Sequence, residues 1–339
     1  MNWKRLNYLK RLNYLNRLAI LWNRLLDRLA AGGRMWRRLA LALAVLTVAA
    51  ALYYPIGMIW VHAIDDNLAF GPQQSDIAAG QSLAVARAAA LIDREVNQHR
   101  WVANDPFFLP GAALDNMPNF QQGVIAAIAR FAFELVDQIG RTRGSSQTDP
   151  DLQEAAGLLQ YSGTKWVFDL STSLAPTATS EAQYRKARKA LLTYNARLAA
   201  GKAVFERRSD NLLATLDRIA LGLGSASAVI EKQIARHGDS LIDRKADDLF
   251  YNVKGQAYGY AVLLDALAVD FAKVVEERDL GSVWREMQTS LHILATLDPL
   301  IVANGAPDGL IIPNHLAAEG FYLLRARTQL REITNILLK

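Results

Sequence analysis

The chain of 339 residues contains no cysteine. Disulfides and thiolate metal sites are therefore excluded, and any exported domain must be held together by packing alone. Histidine is scarce as well. The five, His62, His99, His237, His292 and His315, include no two spaced three to five residues apart, so a helical two-histidine metal motif is missing. Strand signals are also lacking, since no segment sustains apolar/polar alternation on both sides of a hairpin turn. There is no phosphate-cradling glycine loop after a strand, no nucleophile elbow and no EF-hand loop. No cofactor is implied.

Charge is missing in two places. Residues 39–64, LALALAVLTVAAALYYPIGMIWVHAI, hold no Asp, Glu, Lys or Arg over 26 positions. Residues 1–38 nearly lack acids, with ten Lys/Arg against Asp27 alone. Of the 38 basic and 33 acidic residues in the whole chain, residues 65–339 therefore retain 28 and 32, a net charge of −4. The basic excess lies in the tail, not in the large domain, which argues against nucleic acid as a partner.

The uncharged stretch is long enough to cross a hydrocarbon core of about 30 Å. Arg34, Arg37 and Arg38 precede it and Asp65 and Asp66 follow it, so the positive-inside rule puts the N-terminus in the cytoplasm. Trp36 at one end and Tyr53, Tyr54 and Trp60 toward the other have amphipathic rings suited to the bilayer interfaces. A cleaved signal peptide ending near Ala49–Ala51 is disfavoured by the 38-residue basic region before it.

In the tail, KRLNYL occurs twice over residues 4–15. Leu6, Leu9, Leu12, Leu15, Leu18, Trp22, Leu25 and Leu29 then recur at helical spacing with arginines between them. The pattern predicts a basic amphipathic helix over residues 1–33 lying on an anionic phospholipid surface, with a coiled-coil or partner-docking helix as the alternative. The organisation expected is thus 1–33 basic cytoplasmic helix, 34–66 transmembrane helix with flanks, and 67–339 periplasmic all-helical domain.

In that large domain the spacing predicts helices over 80–100, 119–140, 150 to about 170, 180 to about 234 as one helix or two, 239–278, 281–302 and 314–338. Asp149-Pro150 reads as a cap followed by proline at the first helical position, and Ser180 with Gln183 as a capping box. The fold class is all-α: a single transmembrane helix plus an up-and-down helical bundle with long helices.

Few residues invite chemistry. Asp243, Asp247 and Asp248 read as a solvated helix face. Ser162–Lys165 fits S-x-x-K and Ser209-Asp210-Asn211 fits S-D-N, but the K-T-G element of penicillin-binding enzymes and their sheet are not encoded. The stretch 298–315, DPLIVANGAPDGLIIPNH, is read first as a tight connection that docks the last helix. Its second reading is a partner or ligand loop in which Asn304, Asp308, Asn314 and His315 converge.

Three stretches, YYPIGMIWVHAIDDN (53–67), YNVKGQAYGYAVLLDALAVDF (251–271) and NGAPDGLIIPNHLAAEGFYLLRARTQLREITNIL (304–337), resemble the bacterial family catalogued as domain of unknown function 2333. The resemblance implies a Gram-negative inner-membrane protein and supplies no catalytic residues. The sequence points away from an enzyme, toward a periplasmic bundle that scaffolds or binds a cell-envelope protein, and it assigns no oligomeric state. The alternatives are an envelope enzyme acting on a cell-wall or lipid substrate and a transmembrane sensor. Alkaline phosphatase fused after residue 80 is expected to be active in cells, and an inactive fusion there would reverse the compartment assignment.

Overall fold

The computed structural model describes residues 33–139, 148–168, 175–237, 243–306 and 312–339. The chain divides into two compact units, Met1–Ile59 and Trp60–Lys339. The amphipathic helix expected over residues 1–33 lies almost wholly outside the described residues.

Helix α1, Arg34–Val61, is 28 residues long and has no buried residue. Its length is about 42 Å at 1.5 Å per residue, and its mean hydropathy of 2.1 makes it long and apolar enough to cross a membrane. Pro55 lies inside it. All seven residues expected at the interfaces, Arg34, Trp36, Arg37, Arg38, Tyr53, Tyr54 and Trp60, fall on this helix. Trp60 is the most exposed of the three rings toward its C-terminal end, and the Tyr53 and Tyr54 rings meet edge to face at 5.4 Å.

The second unit is built from α2 (Leu83–Asp93, continued by a wider turn over Arg94–Gln98), α3 (Asn116–Glu134, continued over Leu135–Ile139) and α4 (Pro150–Leu159). Then follow α5 (Ser180–Ala199), α6 (Ser209–His237), α7 (Arg244–Asp270), α8 (Ala272–Glu277), α9 (Gly281–Ala295) and α10 (His315–Leu337). Among the described residues there is no strand, only an isolated bridge between Asn304 and Asn314. The protein is all-α.

Helix α7 is the centre. From Phe250 to Leu267 nearly every side chain is buried, the signature of a helix packed on all sides. Its largest contact is with α3. The two run parallel, with Asn119 against Asp248 and Phe120 against Gly255, then Ala127 against Gly259. Glycine makes the approach this close: a Cβ on Gly123 would lie 2.1 Å from the Asn252 carbonyl oxygen, and one on Gly255 2.2 Å from that of Phe120. A methyl at Gly259 would press on Ala127 at 2.8 Å.

This parallel pair departs from the up-and-down order expected, because helices distant in sequence pack together. Helix α6 packs mainly on α10, running antiparallel to it with Gly224 beside Arg327 and Ile230 beside Gly320. The stretch from 180 resolves into two helices, α5 and α6. By length and composition α6 also qualifies as a span, with mean hydropathy 1.4, although only one such stretch is evident in the sequence. Its buried stripe belongs to the core.

Other boundaries differ for local reasons. Asp149 caps α4 as expected, accepting from the amides of Asp151 and Leu152, but α4 stops at Leu159 rather than near residue 170. There the Ser162 and Thr164 hydroxyls turn the chain, and the Ser180 hydroxyl donates to the carbonyls of Ser162 and Lys165. Ser180 is therefore not the cap of α5. Thr179 is, with its hydroxyl accepting from the Ala182 amide at 3.3 Å.

Gly255→Ala is expected to destabilise the bundle by about 1–3 kcal/mol through overpacking against the α3 backbone. Gly157→Ala, in open space on α4, is expected to stabilise it by about 0.5–1 kcal/mol. Thermal unfolding followed by helical circular dichroism should move the two midpoints in opposite directions.

Candidate functional site

The residues that follow α1 form an extended strap, and two cations sunk in the bundle hold it. Arg94 and Lys254 are each 1% exposed. An unpaired charge at such depth is strongly unfavourable, so each needs a close anionic partner. The strap supplies one to Lys254 and adds a second to Arg94. Lys254 Nζ lies 2.9 Å from Asp66 Oδ2, and Arg94 Nη1 lies 3.3 Å from Asp65 Oδ2. Arg94 also pairs with buried Glu95, its Nε donating to Oε1 at 2.8 Å.

Tyr258, one turn beyond Lys254 on α7, completes the clasp. Its hydroxyl accepts from Arg94 Nη1 at 2.7 Å and donates to the Asn67 carbonyl at 2.9 Å. Burial pushes this phenol up to about 12, so it is a fixed neutral hydroxyl at physiological pH. The Arg94 guanidinium lies 4.6 Å from the Phe70 ring centroid, a cation–π contact that continues the hold along the strap. Further on, Arg87 Nε donates to the Pro72 carbonyl at 3.1 Å, and Ala63 N meets Met117 Sδ at 3.2 Å.

Behind Lys254 sits an acid with no hydrogen-bond partner. Glu319 on α10 is fully buried, and neither carboxyl oxygen is hydrogen-bonded. Burial drives its pKa well above the usual carboxylate range, and the Lys254 charge offsets only part of that. Asp66, at 2.9 Å, is the nearest carboxylate to Lys254, and Asp298 lies further off at 4.0 Å.

The acids at the start of α7 are not the solvated face the sequence implied. Asp243 caps α7, accepting from the Lys245 amide at 3.0 Å and from Gln233 Nε2 at 2.7 Å. Asp247 is half-buried against the start of α3. Burial first, then the charges of Asp115 and Asp248, push its carboxyl up to about 6. With its amide oriented by its neighbours, Asn116 donates to Asp247 Oδ2 at 2.6 Å and accepts from the Tyr251 hydroxyl. Among the described residues no group of three or more His, Asp or Glu is placed to hold a metal ion.

Of the four loop residues singled out in the sequence, three come together and Asp308 lies outside the described residues. Their bonds are structural. Asn314 caps α10, its Oδ1 accepting from the Ala317 amide at 2.7 Å, while its Nδ2 donates to Asn304 Oδ1. Asn304 is fully buried and donates toward Asp243 at 3.4 Å. His315 Nδ1 accepts from the Ala303 amide at 2.9 Å, which places the ring proton on Nε2, and burial lowers its pKa. These bonds join 303–305 to 313–315 at the start of α10. The sequence analysis does not single out Lys254, Arg94, Tyr258 or Glu319; the available signal is a lysine four residues before a tyrosine on a helix that is uncharged from residue 249 to 264 except for that lysine.

Two measurements test the site. In this cysteine-free chain, Leu68→Cys reports on the strap, and adding Lys254→Met is expected to speed its maleimide labelling at least tenfold. Asp247 takes up its proton in the folded state at higher pH than in the unfolded chain. Stability should therefore rise as pH falls from about 6 toward 4. Asp247→Asn should raise stability near pH 7.5 by about 1 kcal/mol, after discounting for its partial exposure, and by nothing near pH 4. Chemical denaturation at the two pH values reads this difference.

Neither the curated proteins nor the solved structures contain a significant match to this chain. A family model described as uncharacterized protein conserved in bacteria (DUF2333) matches residues 32–339, the span that includes α1, the strap and the whole bundle. The chain belongs to that bacterial family.

Proposed function

We propose that the chain is a single-pass inner-membrane protein whose N-terminus is cytoplasmic and whose bundle stands in the periplasm, where it binds or scaffolds a cell-envelope protein. Helix α1 is the span, and the basic tail rests on the anionic phospholipid of the inner leaflet. The observation that carries this reading is the strap. The residues immediately after the apolar helix are fastened to the bundle by two buried cations, Arg94 at the end of α2 and Lys254 on the central helix.

The buried polar groups support a holding role over a reacting one. Tyr258 donates to a main-chain carbonyl, His315 accepts from a main-chain amide, and Asn304, Asn314 and Asp243 serve helix ends and the loop. Exposed apolar side chains of the bundle include Phe321 and Leu324 on α10, Leu221 and Val229 on α6, and Phe107 and Leu300 between helices.

Photo-crosslinking in intact cells from Phe321 and from Phe107, at separate exposed positions, tests the proposal. The expected result is one defined envelope protein captured from one position only, which then co-purifies in stoichiometric amount with the unlabelled chain. Turnover of a cell-wall or lipid substrate by the purified chain, with no stoichiometric partner, would replace this reading with the enzymatic one.

A further inference from the structure

A cleft of about 460 Å³ opens along the outer side of α3, away from the strap. That volume lies within the range of small-molecule sites. Helix α3 lines it from Gln122 to Phe133, about 16 Å of helix at 1.5 Å per residue. The floor is apolar: Ile125, Ala129 and Leu159 are nearly buried, and the alanines make the concavity.

The two ends differ. At one end are the amides of Gln122 and Gln160. At the other, Arg130 and Arg218 meet around Glu134, with the half-exposed Phe133 ring beside them. Glu134 is 5% exposed, and Arg218 Nε donates to its Oε1 at 2.8 Å. That bond uses the Nε edge of the Arg218 guanidinium, and among the described residues its terminal nitrogens have no acceptor. Arg130 makes no hydrogen bond among the described residues and lines the same end. Two guanidinium groups, one oriented by a buried carboxylate, are matched in geometry to an oxyanion with two or three oxygens.

We propose that this cleft binds an amphipathic oxyanion: a phosphate or carboxylate seated at Arg130 and Arg218, carrying an apolar body along Ile125, Ala129 and Leu159 toward Gln122. The body fits a chain or ring system no longer than the cleft. A cation is rejected at the arginine end. Bare phosphate leaves the apolar floor empty, and an uncharged alcohol leaves the arginine fork unused. Glu134 is a positioning residue that aims Arg218. This site does not depend on the partner-binding reading, since it lies on a different part of the bundle.

The test uses the full chain in phosphatidylcholine nanodiscs, titrated calorimetrically with hexyl phosphate against empty discs. One saturable site is expected. Hexanol, inorganic phosphate and hexyltrimethylammonium should each bind at least tenfold more weakly. Arg130→Ala breaks no protein hydrogen bond and should weaken hexyl phosphate at least tenfold. Ala126→Trp, at an exposed position, should fill the cleft and abolish binding while the thermal midpoint holds. Discs doped with phosphatidate separate the sources: competition assigns the natural oxyanion to a lipid headgroup and its absence to a soluble amphiphile, and either result upholds the site. Absence of saturable binding, equal binding of the ammonium probe, or affinity unchanged in both variants would overturn it.

Discussion

The bundle depends on the contact between α3 and α7, where two backbones meet with no side chain between them. Gly123, Gly255 and Gly259 remove the Cβ atoms that would stand in the way. Two helices this close exclude water from both backbones and gain dispersion contacts along the crossing. They also make α7 the axis around which α2, α9, α10 and α6 gather. Because α3 and α7 are parallel, the chain between them must return, and α4, α5 and α6 are that return. The crossing therefore determines the topology as well as the core.

The same few residues of α7 set up the strap. Gly255 and Gly259 face α3, and Lys254 and Tyr258, each one position earlier, share an adjoining face of the helix. On that face Lys254 takes Asp66, and Tyr258 takes the Asn67 carbonyl and Arg94. Close packing on one side fixes the rotation of α7 about its axis, and that rotation presents the lysine and tyrosine to the strap. A substitution that displaced the glycines would turn the clasp away from its acids. At the other end of α7 the logic repeats. Buried Asp270 accepts from the Ser82 hydroxyl and the amides of Leu83 and Ala84, so the end of the central helix caps the start of α2.

What the sequence made legible follows from distance along the chain. The helical class, the long apolar helix, the Asp149-Pro150 start and the docking loop before α10 all rest on spacings within a few residues. The end of α4 is not legible locally, because the hydroxyl that turns the chain there, Ser180, comes eighteen residues after Ser162. The start of α5 was misplaced by one residue for the same reason, since Ser180 is occupied elsewhere and Thr179 is left to cap. Asp65 and Asp66 were read from their place after the apolar run as topology markers. Their partners are 29 and 188 residues further on, and no local pattern announces such pairs. The cleft arginines were silent too: Arg130 and Arg218 become neighbours only once α3 and α6 pack.

The choice of charge for the strap has a physical consequence. An apolar strap would gain about as much by burial in several registers, because hydrophobic contact is non-directional. Lys254 is a discrete point in a medium where an unmatched charge is heavily disfavoured, so the register that brings Asp66 to it is favoured, and in that register Asp65 adds to the Glu95 that already pairs with Arg94. A slip of one residue would offer Lys254 an asparagine or leave Arg94 facing an isoleucine carbon. The net worth of each pair is modest once desolvation is counted, and the selectivity is large. The acids that follow the apolar helix thus act as a registration mark, which holds the first residues of the bundle in one place against its central helix.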